Sequence, residues 1–235
     1  MTGLRTIAFD GDDTLWHNEN LFELTQDAFR ELLLSHVPDA DISGRLHETE
    51  IRNLRLFGYG IKGFMLSMIE TAIEVTDRRV PAADIEKIID LGKSMLEHPV
   101  ELLEGVESVL QMLRDRYELM LITKGDLFDQ ESKIARSGLA EQTFTRVEIV
   151  SEKDENTYQR ILERYELEPA EFLMVGNSLR SDILPVAGIG GRAVYIPYHL
   201  TWAHEVVQVE GELPDRVWQL EAITALPRLL GRIGL

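Results

Sequence analysis

Cysteine is absent from the 235 residues, which excludes disulfides and thiolate chemistry and leaves the redox compartment undetermined. Basic residues are few: 24 lysines and arginines stand against 41 aspartates and glutamates, a formal charge of -17. So acidic a chain is ill suited to neutralising a phosphate backbone or an anionic bilayer, and neither a nucleic-acid nor a membrane partner is expected. Missing too is any apolar run near the roughly 20 residues that span a bilayer. Met1-Thr2-Gly3-Leu4-Arg5 passes straight into a short apolar strand, without the apolar stretch and cleavage site of a secretory signal, so a soluble cytoplasmic protein is the expectation. With 44% hydrophobic and 28% charged residues, no low-complexity tract and no fixed-period repeat, the composition is that of a folded globular protein. The length allows one large domain or a core carrying a smaller insert.

Thr6-Ile7-Ala8-Phe9 is a short apolar run cut off by Asp10-Gly11-Asp12-Asp13, the pattern of a buried strand emptying into a polar loop. From about Leu21 to Leu96 apolar residues fall at helical spacing, as at Phe22, Leu24, Ala28, Phe29, Leu32 and Leu33, and no strand interrupts them. After Pro99 and Gly105 the pattern alternates. A helical run at Val106, Val109, Leu110 and Leu113 leads to a strand at Leu119-Met120-Leu121-Ile122. Further strands are predicted at 147–150, 172–175 and 193–196, with helices around Asp129 to Arg136 and Tyr158 to Tyr165, and Pro227 opens a closing helix. Strands alternating with helices imply an α/β fold, a doubly wound parallel sheet with right-handed crossovers, carrying an all-helical insert after its first strand. The expected division is a core of residues 1–15 and 98–235 and a helical cap of residues 16–97 that serves as a lid.

In such a sheet ligands bind beyond the carboxyl ends of the strands, so the residues there carry the most weight. Four strand ends deliver Asp10 with Asp12, Thr123, Lys153, and Asn177 with Asp182: acids, a hydroxyl donor and a cation, the parts of phosphoryl transfer. Taken singly each has a plainer explanation, since acids after a strand form turns, a threonine caps a helix and a lysine is a solvated charge. Gathered in one crevice they point to chemistry. On an extended chain Asp10 and Asp12 lie on one side and repel unless a cation compensates. Mg²⁺, which takes one or two carboxylates and keeps several waters, suits a site of Asp10, a backbone carbonyl and Asp182. An EF-hand calcium loop starting at Asp10 is excluded, because its sixth and twelfth positions are Leu15 and Leu21 in place of Gly and Glu.

These residues sit in longer motifs. Phe-Asp10-Gly-Asp12-Asp-Thr14-Leu resembles the first motif of the haloacid dehalogenase-like (HAD) hydrolase superfamily. Leu-Ile-Thr123-Lys124-Gly, Ser-Glu-Lys153 and Val-Gly176-Asn177-Ser-Leu-Arg-Ser-Asp182 follow in that family's order, and the insert occupies its helical-cap position. The resemblance implies a Rossmann-like core with Asp10 as nucleophile, Asp12 as general acid and base, and Thr123, Lys124 and Lys153 on the phosphoryl oxygens. It implies Mg²⁺ held among Asp10, Asp12, Asn177 and Asp182, and a phosphatase that hydrolyses a small phosphomonoester through an aspartyl-phosphate. Where the family often has an acid this chain has Asn177, so weaker or more water-mediated metal binding is expected. The dehalogenase branch shares the carboxylate nucleophile but needs neither the acid two residues later nor a metal, and Asp12 argues against it. A phosphomutase remains an alternative within the superfamily. From other classes, so do a receiver-like module, although no second strand-end acid appears between residues 16 and 97, and a phosphate- or metal-binding protein without turnover.

The substrate is not legible: sugar phosphates, nucleotides and phosphoglycolate all fit, and so does any oligomeric state. Gly58-Tyr59-Gly60-Ile61-Lys62-Gly63 matches the G-x-G-x-x-G dinucleotide pattern, but its flanks are helical, so it is expected to be a flexible cap loop. Lys62 and Tyr59 are candidates to reach a leaving group from a closed lid. His199 and His204, with Glu205 beside them, have neither helical nor zinc-ligand spacing, and surface histidines are the expectation. Trp16 either packs or begins a hinge, and packing is favoured.

Overall fold

The computed structural model describes residues 3–139, 143–207 and 211–234. Six strands form one parallel sheet in the order β3-β2-β1-β4-β5-β6: β1 (Thr6–Phe9), β2 (Glu118–Lys124), β3 (Arg146–Val150), β4 (Phe172–Gly176), β5 (Arg192–Tyr195) and β6 (Val217–Gln219). The α/β expectation holds, and five of these strands stand where the apolar runs place them. β6 is a strand beyond those expected, because three residues are too few to show an alternation.

The chain divides into two compact units, one of Met1–Glu19, Val100–Lys124 and Gln130–Leu235, the other of Asn20–Pro99 and Gly125–Asp129. In the first unit the sheet is buried on both faces, and β1 and β4 are accordingly buried throughout and, Thr6 and Gly176 apart, made of hydrophobic residues. Side chains alternate between two layers. Ile7, Phe9, Leu119, Leu121, Leu173 and Val175 pack with Val106, Val109 and Leu110 of α5 (Val106–Leu113) and Leu226, Leu229 and Leu230 of the closing helix (Leu226–Arg232). Ala8, Met120, Ile122, Phe172 and Met174 pack on the other face with Tyr158, Ile161 and Leu162 of the helix Glu155–Arg164.

The first unit extends past the expected limit at residue 15 because Trp16 is buried in its core and forms bridges with Asp12 and Leu102. A Cβ on Gly11 would lie 2.6 Å from Trp16 Cζ2, so only glycine lets the loop after β1 cross the indole.

The second unit holds four helices, α1 (Glu19–Leu34, of which Glu19 belongs to the first unit), α2 (Ile42–Phe57), α3 (Ile61–Val75) and α4 (Ala82–Glu97). They close on Phe29, Leu33, Leu46, Phe64, Met68, Ala72, Ile88 and Met95. Of the glycine-rich segment, residues 58–60 make the turn between α2 and α3 and residues 61–63 open α3: Gly58 and Gly60 have φ of 70° and 119°, values that favour glycine. Lys62 there pairs with Asp126 at 2.7 Å and lies over the Phe128 ring, both from the short segment Gly125–Asp129 of the same unit. No helix among the described residues is long and apolar enough to cross a membrane.

Candidate active site

Every strand-end residue singled out in the sequence belongs to the first unit, and the structure brings most of them into direct contact. Asp10 continues β1, its N–H donating to the Val175 carbonyl at 2.9 Å. Its Oδ1 accepts from Lys153 Nζ at 2.5 Å, and the same ammonium donates to Asp182 Oδ1 at 2.7 Å. All three groups are buried. Asp182 is returned to the crevice by one turn of π-helix (Leu179–Ile183) opened by Ser178, whose N–H donates to Asp182 Oδ2 at 3.0 Å. Gly176 makes room for it, since a Cβ there would lie 2.3 Å from the Asp182 carboxyl.

Asp12 is held by a different set. Trp16 Nε1 donates to it at 2.7 Å, Gln130 Nε2 at 2.9 Å, and Lys133 Nζ to both oxygens at 3.0 and 3.2 Å. Lys133 also donates to Asn18 Oδ1 at 2.7 Å, and Thr123 Oγ1 donates to Gln130 Oε1 at 3.2 Å. Gln130 and Lys133 are three residues apart on the helix Leu127–Ser137, so one face of it supplies both. Nothing in the sequence reading singles them out. The available signal was that a helix opening right after the second motif presents its first turns at the mouth of the sheet.

The two carboxylates are driven in opposite directions. Burial, with the charges of Asp182 and Asp12 added, pushes Asp10 up to about 7, with Lys153 opposing. Burial acts on Asp12 the same way, but the Lys133 charge and the three donors outweigh it and leave its pKa below the usual carboxylate value. Lys153 is raised: burial disfavours its charge, and Asp10 and Asp182 more than compensate. Paired acids whose environments separate them are the usual foundation for distinct roles in acid-base chemistry.

The Asn177 amide fits its site in two ways. With nitrogen inward it donates to Asp10 Oδ2 at 3.2 Å and to the Asp12 carbonyl oxygen at 3.3 Å. With oxygen inward, three oxygens converge, with Thr14 Oγ1 3.4 Å from the amide oxygen and 3.3 Å from Asp10 Oδ2. A carboxylate, a peptide carbonyl and an amide oxygen are the hard donors that Mg²⁺ accepts, so these residues fit such an ion. No group of three His, Cys, Asp or Glu suited to a metal occurs among the described residues, so the three carboxylates expected as ligands, Asp10, Asp12 and Asp182, do not form one cluster. Two of the expected ligands face elsewhere: the Asp182 carboxylate is engaged by Lys153 and the Ser178 N–H, and the Asp12 side chain by Lys133, leaving its carbonyl toward Asn177.

Lys124 is turned to the rim. Its ammonium donates to Glu205 Oε1 at 2.7 Å, to Ser181 Oγ at 3.0 Å and to Glu152 Oε1 at 3.4 Å. Glu205 is largely covered, and its second oxygen accepts from Ser178 Oγ at 2.7 Å and Ser181 Oγ at 2.6 Å. It lies in an irregular segment after β5, for which no periodicity gives a position.

Residues 4–190 match the model of the haloacid dehalogenase-like hydrolases. A glyceraldehyde 3-phosphate phosphatase of Pyrococcus furiosus is 24% identical over 98% of this chain and 93% of its own length. A haloacid dehalogenase-like family hydrolase of Xanthomonas campestris is 41% identical, with a TM-score of 0.87 over 98% of this chain and 92% of that one. A 2-haloacid dehalogenase of Pseudomonas syringae is 22% identical, with a TM-score of 0.65 over 98% and 99%, a likeness of fold.

Proposed function

We propose, from the premise that this chain belongs to the haloacid dehalogenase-like hydrolase family, that it is a phosphatase acting on a small phosphomonoester through an aspartyl-phosphate on Asp10. The observation that carries the reading is the buried Lys153 ammonium shared between Asp10 and Asp182. A cation so placed neutralises the phosphoryl group as it meets a carboxylate, and the family relative from Pyrococcus is named for phosphate-ester hydrolysis.

In the first half of the reaction a carboxylate oxygen of Asp10 forms a bond to phosphorus while the bond from phosphorus to the ester oxygen breaks. Lys153 holds the equatorial charge, and the Thr123 hydroxyl turns from Gln130 to donate to a phosphoryl oxygen. The leaving oxygen takes a proton, which Asp12 supplies when protonated. In the second half, water attacks phosphorus, Asp12 takes its proton, and the bond from phosphorus to Asp10 breaks to release phosphate and restore the carboxylate. The ionised resting state of Asp12, set by Lys133, Gln130 and Trp16, suits this hydrolytic half. When bound by Asp10, the Asp12 carbonyl and Asn177, Mg²⁺ supplies further positive charge to the phosphoryl oxygens.

The elaborate seating of Asp12 separates this reading from a dehalogenase, whose chemistry gives an acid at that position no proton to move. A panel of phosphomonoesters with Mg²⁺, run beside 2-chloropropionate, tests it. Phosphate release by the wild type, with none from chloropropionate as chloride, is the expected result. Chloride release without phosphate release would reverse the assignment, and phosphate appearing on a second hydroxyl would make the protein a mutase.

A further inference from the structure

The Lys124 cluster lies outside the groups used above, and it is built like an anion seat. One ammonium and two hydroxyls, Lys124 Nζ, Ser178 Oγ and Ser181 Oγ, converge on a single carboxylate at 2.7, 2.7 and 2.6 Å. The parallel register pairs Phe9 with Leu121, so Asp10 lies one residue beyond that level and Lys124 three. The seat is therefore on the outer rim of the same strand ends. It is tied to the nucleophile by a short relay, since Ser178 N–H holds Asp182, and Asp182 shares Lys153 with Asp10.

The carboxylate in that seat comes from Glu205, in a short turn after β5. The turn is secured independently: Arg180 donates to the His204 carbonyl at 2.7 Å, Trp202 packs on His204, and Tyr198 bonds His17 at 2.6 Å. Charged and titratable groups facing Glu205 from the packed elements are Lys124 at the end of β2, Glu152 after β3, Arg180 on the π turn and His204 beside it. Lys124 thus already faces two carboxylates, while Arg180 is spent on a carbonyl.

We propose that Glu205 is a specificity-determining residue: it fills the seat that a second anionic group of a substrate would occupy, and so selects phosphomonoesters whose leaving group is uncharged. The inference rests on the phosphatase reading and deepens it by naming the substrate class, alcohol and aldehyde phosphates over phosphocarboxylates and bisphosphates. An incoming second anion would meet Glu205 in place of an available ammonium, and like charges brought together across a binding site are strongly disfavoured. Burial raises the Glu205 pKa, but Lys124 and the two serine hydroxyls prevail and bring it down to about 2, so the block is charged throughout the neutral range.

The test compares two inhibitors matched except for one charge, glycerol 3-phosphate and 3-phosphoglycerate, as competitors of p-nitrophenyl phosphate hydrolysis by the full chain with Mg²⁺. In the wild type the inhibition constant of 3-phosphoglycerate is expected to exceed that of glycerol 3-phosphate by about tenfold or more, the equivalent of about 1.4 kcal/mol. Glu205→Gln is expected to bring the ratio to within about threefold, and Glu205→Asp, which keeps the charge, to retain it. The ratio is taken within each protein, so a general loss of activity cancels. An unchanged ratio in Glu205→Gln, or one lost equally in Glu205→Asp, would overturn the inference while leaving the phosphatase reading intact. Absence of p-nitrophenyl phosphate turnover by the wild type would instead overturn the phosphatase reading and this inference with it.

Discussion

Two lysines at neighbouring strand ends of the same sheet each face two carboxylates, and the contrast between them explains much of the site. Lys153 is buried between Asp10 and Asp182, both from the motifs that carry chemistry. Lys124 sits at the rim between Glu152, the residue before Lys153, and Glu205, which lies outside the motifs. In the buried trio one ammonium is shared by two acids that stay close to each other, which leaves Asp10 raised and responsive to an arriving phosphoryl group or cation. At the rim the ammonium is matched by an acid whose pKa is strongly depressed, a finished ion pair with no charge left to offer. The same residue type is reactive equipment in one place and a closed door in the other, and burial together with the state of the partner acid makes the difference.

The largest effect should come from the buried trio. Asp10→Asn removes the nucleophile, and phosphatase kcat is expected to fall by at least about 10³-fold, with Asp12→Asn lower by about 10²–10⁴-fold. Steady-state assays that found both variants fully active would break the account. Lys153→Met is next: it leaves two buried acids without their cation, and a loss of about 3 kcal/mol in urea unfolding is expected beside the loss of activity. Lys124→Met, at the rim, should cost about 1 kcal/mol by the same measurement. Equal costs for the two lysines would remove the distinction between them.

A smaller effect concerns acid stability. Glu205 is depressed in the fold from its ordinary 4.5 to about 2. A depressed carboxylate contributes stability that is present above the unfolded value and is lost as pH falls through the folded one, so the window is roughly pH 5 to 2. Wild type is expected to lose on the order of 2–3 kcal/mol more than Glu205→Gln across it. Parallel unfolding curves for the two proteins over that range would count against the ion pair.

The parts of this structure that could be read beforehand share a physical feature: they are encoded locally. β1 is legible because the apolar residues Ile7, Ala8 and Phe9 run straight into an acid, and β4 because five buried residues end at Gly176. Asp10, Thr123, Lys153 and Asp182 are legible as a group because strand ends in a parallel sheet converge. What could not be read depends on tertiary contacts. Which carboxylates face a metal is one case, since Asp182 is drawn to Lys153 and the Ser178 N–H, and Asp12 turns its side chain to Lys133. Glu205 is another, because the segment after β5 has no periodicity and its partners lie 24 to 81 residues away along the chain. The three residues of β6 carry no alternation to find.

On the proposed mechanism Asp10 becomes phosphorylated during turnover. This is tested most directly by quenching the protein in acid during steady-state hydrolysis of p-nitrophenyl phosphate and measuring peptide masses. The peptide containing Asp10 is expected to gain one phosphoryl group in the wild type, and this gain to vanish in Asp10→Asn. Turnover with the phosphoryl group on another residue, or with no phosphorylated peptide accumulating even when Asp12→Asn slows the second step, would contradict it.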